Sequence, residues 1–466
     1  MGEVLNPADS GEGAGDRRRQ RLLLAGGTVW SEEESWQADV RVVGESITEL
    51  GALVPEPGED VIDATGLHVL PGMIDVHVHI DDRIGGVTLA DNFLSASQAA
   101  VETGITTLAG FVTQSPEETL SAAVARCVAR ASGHSYCDFG FHLTPRGWPW
   151  HWDEVERLVA RGFSTFKLYT TYRDAGLYTD YAQLGEVMER VARLGARLLL
   201  HCEDETTLAG INRALIDYTD PFSHTVLRPK RAEVAAIQRA VELCAATRCR
   251  LHVVHVSTAE GATIIAQARP RCSVSCETAP HYLLLDERAL GGEEGHRFLC
   301  TPPLRSQPTR AEMETMAAAG LFDLFATDHC AFSRADKDAH RGDVRAVPKG
   351  IAGVGALVPL LFELLVKRHG RGLNELVLRL AANPARLLGL YPKKGVVAVG
   401  SDADLVLVDP NGPPRSVRST RADAYDPYAD RSTTWNVRSV LWRGELVVRD
   451  NTLVADSADG HCMATP

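Results

Sequence analysis

Along the middle of the chain, from about residue 71 to 390, short apolar runs alternate with stretches in which apolar positions return every three or four residues. The short runs are the one ending at Val76, then 106–111, 139–143, 165–169, 197–201, 251–256, 272–276 and 324–328. Runs of this length, bounded by turn-forming residues, read as buried strands, and the periodic stretches between them, such as 153–161, 183–194, 230–246 and 353–368, read as helices. Eight β/α steps in succession predict a closed TIM (β/α)8 barrel with the helices outside. An open doubly wound sheet is the competing architecture, but it would not place polar residues at the ends of so many different strands.

The two ends of the chain have another texture. Residues 22–24, 39–43 and 46–50 form short alternating or apolar runs separated by glycine, and the same pattern returns at 403–408 and 437–448. These are expected to be small antiparallel strands, and their position at both ends predicts one β domain built from 21–70 and 391–450 around a barrel of 71–390. Residues 1–20, nearly devoid of apolar side chains and carrying Arg17, Arg18 and Arg19, are expected to be a disordered tail, and 451–466 a C-terminal tail.

Composition narrows the partners. A chain of 466 residues with 45% apolar content is large enough for one big domain and a smaller one. Its net charge of -13 argues against nucleic acid or an anionic membrane as partner, since both select a basic face. The ten cysteines follow no C-x-x-C spacing and mostly sit in apolar segments, as reduced thiols do. No apolar run reaches the roughly 20 residues of a membrane helix, and the start lacks the apolar centre of a signal peptide, so a cytoplasmic protein is expected.

The candidate chemistry lies at the ends of the predicted strands. Pro71-Gly72-Met73-Ile74-Asp75-Val76-His77-Val78-His79 ends in two histidines that share one face if the run is extended. Lys167, His201, His255 and Asp328 each lie in or at the end of a later run. In a barrel all of these belong at the C-terminal mouth. Four imidazoles and a carboxylate suit zinc or another first-row divalent ion. Lys167 is the odd member: a neutral amine, an inward core residue, a salt-bridged lysine and a lysine carboxylated by CO2 are all open for it. The carbamate would be an anion able to bridge two metals roughly 3.5–4 Å apart, whose shared water becomes a nucleophile near neutral pH. Asp328 would then ligate one metal and shuttle the proton. Tyr172, in the loop after Lys167, is the candidate donor to a tetrahedral oxyanion. His68, Tyr169 and His252 read as packing residues.

These segments, together with Phe166-Lys167-Leu168-Tyr169-Thr170-Thr171-Tyr172, His201-Cys202-Glu203-Asp204, Cys276-Glu277-Thr278-Ala279-Pro280-His281-Tyr282, Cys300-Thr301-Pro302-Pro303-Leu304-Arg305 and Ala326-Thr327-Asp328-His329-Cys330, resemble the cyclic amidohydrolases of the amidohydrolase superfamily. The likeness runs in order from about residue 22 to 450, and within the superfamily the chain is most similar to hydantoinases and dihydropyrimidinases. The resemblance implies a binuclear zinc site, with manganese as the other candidate: His77, His79 and Asp328 on one metal, His201 and His255 on the other, carboxylated Lys167 between them. It also implies that the β domain is the family's composite β-sandwich, that the chain is a homotetramer or homodimer, and that the partner is a small cyclic amide, imide or ureide.

The ring-reading residues are mixed. Thr301 stands where the relatives usually have serine, and Lys349 where an asparagine follows the proline; both are kept as substrate-binding candidates. Arg83 and Arg345, like Lys349, would meet a carboxylate or other polar substituent, or else be solvated loop charges. His201-Cys202-Glu203-Asp204 is closer to dihydroorotases and Gly350-Ile351-Ala352-Gly353 to allantoinases, so those two activities, and ring closure by the same site in reverse, are the alternatives. A non-catalytic scaffold of the dihydropyrimidinase-like kind is disfavoured because all six metal-site positions are filled.

Overall fold

The computed structural model describes residues 21–464; the expected disordered tail lies outside them. Eight parallel strands, Met73–Asp75, Ile105–Thr113, Asp138–Thr144, Thr165–Tyr169, Arg197–His201, Arg250–Val253, Val274–Thr278 and Leu324–Phe325, lie side by side in sequence order. Helices follow them in turn, among them Phe93–Val101, Leu120–Ala131, Trp152–Ala160, Tyr181–Arg193, Lys230–Thr247, Ala259–Ala268 and Gln307–Ala318. Their buried faces, for example Leu184, Val187, Met188 and Val191 of the fourth, pack in one large core with the strands, as the helical period requires.

The ring closes between the first and last strands through side chains and a short extension. Asp75 accepts the Thr327 backbone N–H at 3.1 Å and the Thr327 hydroxyl at 2.6 Å. Just beyond, Val78–His79 pairs in parallel with His329–Cys330. The strands are buried almost throughout, so their sequences read as apolar runs rather than alternations.

The chain ends build a mixed sheet of nine strands from Arg21–Trp30, Ser35–Val43, Ser46–Gly51, Asp60–Asp63, His68–Pro71, Leu405–Asp409, Asn436–Trp442, Glu445–Arg449 and Thr452–Leu453. Apolar side chains including Leu24, Val40, Ile47, Val69, Leu405 and Leu441 form a core of their own within it. Gly72 is the step from this sheet into the barrel. A Cβ there would lie 2.0 Å from the Thr106 hydroxyl, so only glycine passes. The segment after Thr452–Leu453 continues across the barrel's N-terminal face: Phe139 N–H donates to His461 O at 2.9 Å and Met463 N–H to Phe139 O at 2.8 Å.

Candidate active site

All nine residues singled out from the sequence, His77, His79, Lys167, Tyr172, His201, His255, Thr301, Asp328 and Lys349, line one cavity of about 990 Å³ at the C-terminal ends of the strands. Three of them, Tyr172 (φ 67°), His255 (φ 39°) and Asp328 (φ 49°), occupy the left-handed region that non-glycine residues avoid. Such backbone costs roughly 1–3 kcal/mol each and persists where surrounding structure enforces it. Here the sharp turn at the strand end aims each side chain back over the barrel mouth.

The histidines and the aspartate converge. His77 Nε2 lies 3.1 Å and His79 Nε2 3.4 Å from the same oxygen of Asp328. His201 Nδ1 faces His255 Nε2 at 2.9 Å. One ligand atom each from His77, His255 and Asp328 fall within 4.8 Å of one another. His77 Nε2 is buried without a hydrogen bond among the described residues, although a carboxylate oxygen is beside it. Imidazole nitrogens and a carboxylate oxygen brought together in this way are the donor set a divalent cation needs. Burial, with the His201 and Lys167 charges beside it, holds His255 well below its usual value and therefore neutral, the form that ligates.

Lys167 is buried in the same cavity with its Nζ 5.3 Å from the ring centres of both Phe111 and Tyr169. Burial lowers it to about 8, and among the described residues no carboxylate pairs with it. The Asp328 and Glu277 charges act on it only from beyond ion-pair distance, and a buried ammonium without a direct partner is costly, so the position fits a group other than a plain cation.

Residues with no role assigned from the sequence hold the cavity histidines in place. Glu277 bonds His77 Nδ1 through one oxygen and His252 Nε2 at 2.9 Å through the other. Although burial opposes its ionisation, His77 and His252 hold it well below the usual carboxylate range. Glu203 does the same for His201, accepting from Nε2 at 2.8 Å, and is itself paired with Arg228. A carboxylate on the far nitrogen of a ligating imidazole fixes ring and tautomer. His252, read as a packing histidine, is fully buried between Glu277 and the Ser275 hydroxyl. His281 lines the cavity with a buried Nε2 that has no hydrogen-bond partner among the described residues.

The Tyr172 ring sits 5.1 Å from that of His201 and under the Arg228 guanidinium at 4.8 Å. Burial raises its hydroxyl, which stays a proton donor. The Thr301 hydroxyl is 3.1 Å from His224 Nε2. Lys349 Nζ donates to the carbonyls of Val344 at 2.6 Å and Arg345 at 2.9 Å. Of the loop charges, Arg345 is committed to Asp343 at 2.9 Å, and the exposed Arg83 donates to Gly86 O. A second group of acids, Asp138, Asp402 and Asp404, lies at the other end of the barrel. Lys394 and Arg443 fill it as ion-pair partners, so it is an anchor between barrel and end sheet rather than a metal site.

Comparison with known proteins agrees with this geometry. Residues 68–447 match the amidohydrolase family. The D-hydantoinase of Geobacillus stearothermophilus is 33% identical over 449 residues, covering 94% of this chain and 95% of that protein. The D-phenylhydantoinase of Escherichia coli strain SE11 is 31% identical over 460 residues, covering 95% and 97%. The crystal structure of dihydropyrimidinase from Brevibacillus agri superposes with a TM-score of 0.91 at 33% identity over 96% of this chain and 99% of the other. A chain with these matches over nearly its whole length, and with this barrel and this cluster of histidines at its mouth, belongs to the amidohydrolase family and is most similar there to the hydantoinases and dihydropyrimidinases.

Proposed function

We propose that the chain opens the C–N bond of a cyclic amide, imide or ureide of the hydantoin or dihydropyrimidine type, using two divalent cations, zinc or manganese. His77, His79 and Asp328 would hold one cation, His201 and His255 the other, with Lys167 between them as its CO2-derived carbamate. The observation that carries the reading is the convergence of four histidines, one aspartate and an unpaired buried lysine on a single cavity. When bound, the cations supply Lewis acidity to the scissile carbonyl and acidify water.

The chain's own groups do the rest. Asp328 takes the proton of the attacking water and returns it to the leaving ring nitrogen. Tyr172 donates its hydroxyl to the oxygen on which negative charge develops, from a buried position where one such donor is worth about 10²–10³ in rate. Thr301 and the backbone at Lys349 hold the ring. Glu277, Glu203 and Arg228 keep the imidazoles turned toward the cations.

The names D-hydantoinase and dihydropyrimidinase borne by the relatives support the ring class. The assembly is a homotetramer or homodimer, measurable by light scattering, and the compartment is the cytoplasm; no helix among the described residues is long and apolar enough to cross a membrane. The test is metal analysis of the purified chain followed by a panel of hydantoin, dihydrouracil, allantoin, dihydroorotate and succinimide. Two cations per chain and fastest opening of hydantoin or dihydrouracil are expected. No divalent metal, and no turnover after adding Zn²⁺ or Mn²⁺ with bicarbonate, would refute the reading.

A further inference from the structure

The wall of the cavity formed by residues 345–351 carries positive charge that the ring-opening reading does not use. Arg345 on this wall is answered by Asp343, and Arg228 behind it by Glu203. Lys349 has no carboxylate partner among the described residues. Two of its three ammonium donors go to the carbonyls of Val344 and Arg345, which pin the side chain inside the loop and leave one N–H over. Of the acids at the cavity mouth, Asp81 feels the Arg130 charge and Asp82 faces Arg126, which is itself paired with Glu118.

This ammonium is built into the site. Gly350 N–H donates to Leu299 O at 2.8 Å, stitching the loop to the segment that bears Thr301. The buried Lys337 fastens the same segment from behind, donating to Arg297 O at 2.7 Å and Leu299 O at 3.1 Å. His224, which contacts Thr301, is pushed down to about 3 by burial, with Arg228 and Lys349 both pressing on it. Its ring is therefore neutral, and with Arg228 paired to Glu203 the cation of this wall without an ion pair is Lys349. In a chain of net charge -13, a cation held in place by its own loop, with only the distant Asp343 charge to offset it, is a place for an anion at the cavity wall.

We propose that Lys349, backed by Arg228, forms an anion subsite beside Thr301, so that the preferred substrates are cyclic amides whose ring bears a carboxylate or similar anionic substituent. This rests on the ring-opening reading above and narrows it.

The experiment compares hydantoin carrying a 5-carboxymethyl group with its neutral 5-carbamoylmethyl isostere on the metal-loaded protein. One charge pair across a partly buried wall predicts about a tenfold higher kcat/KM for the carboxylate ring, shrinking as salt is raised. Lys349→Met should bring the ratio of the two toward one, and Lys349→Arg should keep it. Equal kcat/KM in the unaltered protein, or a ratio that Lys349→Met does not move, overturns the subsite. If neither ring is opened, the ring-opening reading has failed, and calorimetric binding of the same two rings decides the subsite alone. Tighter binding of the carboxylate ring supports it; equal or undetectable binding of the two overturns it.

Discussion

Glu277 offers the sharpest test of how the site is held. The residue is 1% exposed and serves two buried rings at once: one oxygen takes the His77 Nδ1 proton and also lies 3.4 Å from the His255 backbone N–H, and the other is 2.9 Å from His252 Nε2. With Nδ1 engaged by Glu277, His77 turns Nε2 toward Asp328, the nitrogen left for a cation. Glu277→Ala orphans two buried ring N–H groups, and at roughly 1–3 kcal/mol for each orphaned donor the expected loss is about 2–6 kcal/mol, a large part of the stability of a typical domain.

Glu277→Gln separates charge from shape. The amide oxygen still accepts from His77, and the amide nitrogen donates to His252, whose other nitrogen then donates to the Ser275 hydroxyl 2.8 Å away. Stability should therefore fall by only about 1 kcal/mol. Loss of the negative charge makes His77 a weaker donor, and such changes behind a ligating histidine cost about 10–100-fold in metal affinity, or roughly 1.4–2.7 kcal/mol. Metal content measured across a series of buffered free-zinc concentrations, beside thermal unfolding of the apo and loaded chains, reads both effects. The cation on the His77 side should weaken in both variants while apo stability drops mainly in Glu277→Ala. Two cations bound with unaltered affinity by Glu277→Gln would refute the argument.

Other outcomes follow from the same geometry. Lys167→Ala should lose both metal retention and activity, with partial rescue by a short carboxylic acid; unchanged metal content would remove the carbamate assignment. Tyr172→Phe should keep its metals and lower kcat by about 10²–10³-fold, and an unchanged rate would end its oxyanion role. Gly72→Ala forces a Cβ to within 2.0 Å of the Thr106 hydroxyl and 2.8 Å of its methyl. Because Thr106 is β-branched and buried, about 1–3 kcal/mol of stability should be lost in a denaturant titration, and a wild-type midpoint would show that the step between sheets can relax.

What was legible in the sequence was what one segment carries by itself. Most barrel strands are apolar runs with a polar residue at or just past the end, so 197–201 announces both a strand and His201 at its end. Glu277 and Glu203 were present in the motifs, yet their partners depend on lateral register. Pairing of His252 with Ser275 and Val253 with Cys276 is what brings Glu277 beside His252 and His255, and no single strand contains that information. Lys349 was recognised as lining the substrate site, but not that its ammonium would be tied to two carbonyls of its own loop. The last residues were equally opaque: 451–464 is polar and irregular in sequence, and its order comes from backbone bonds to Phe139 and Ser135 supplied by the barrel.

The end sheet and the site are joined by the first barrel strand. Strand His68–Pro71 pairs with Leu405–Asp409 and with Arg21–Trp30, and one residue later the same chain becomes Met73–Asp75. Gly72 N–H is held by Asp404 O at 2.8 Å, Met73 N–H by Gly104 O at 2.9 Å, and Asp75 by Thr327. A slip of one residue in the end sheet would therefore turn His77 and His79 to the wrong side of the strand, because side chains alternate with a period of two. A metal site tolerates only about 0.5 Å of misplacement in its ligands. The pairing of the two chain ends, far from the cavity, thus fixes where its first two histidines stand, and the Asp138–Lys394–Arg443 cluster that ties the end sheet to the barrel belongs to the same clamp.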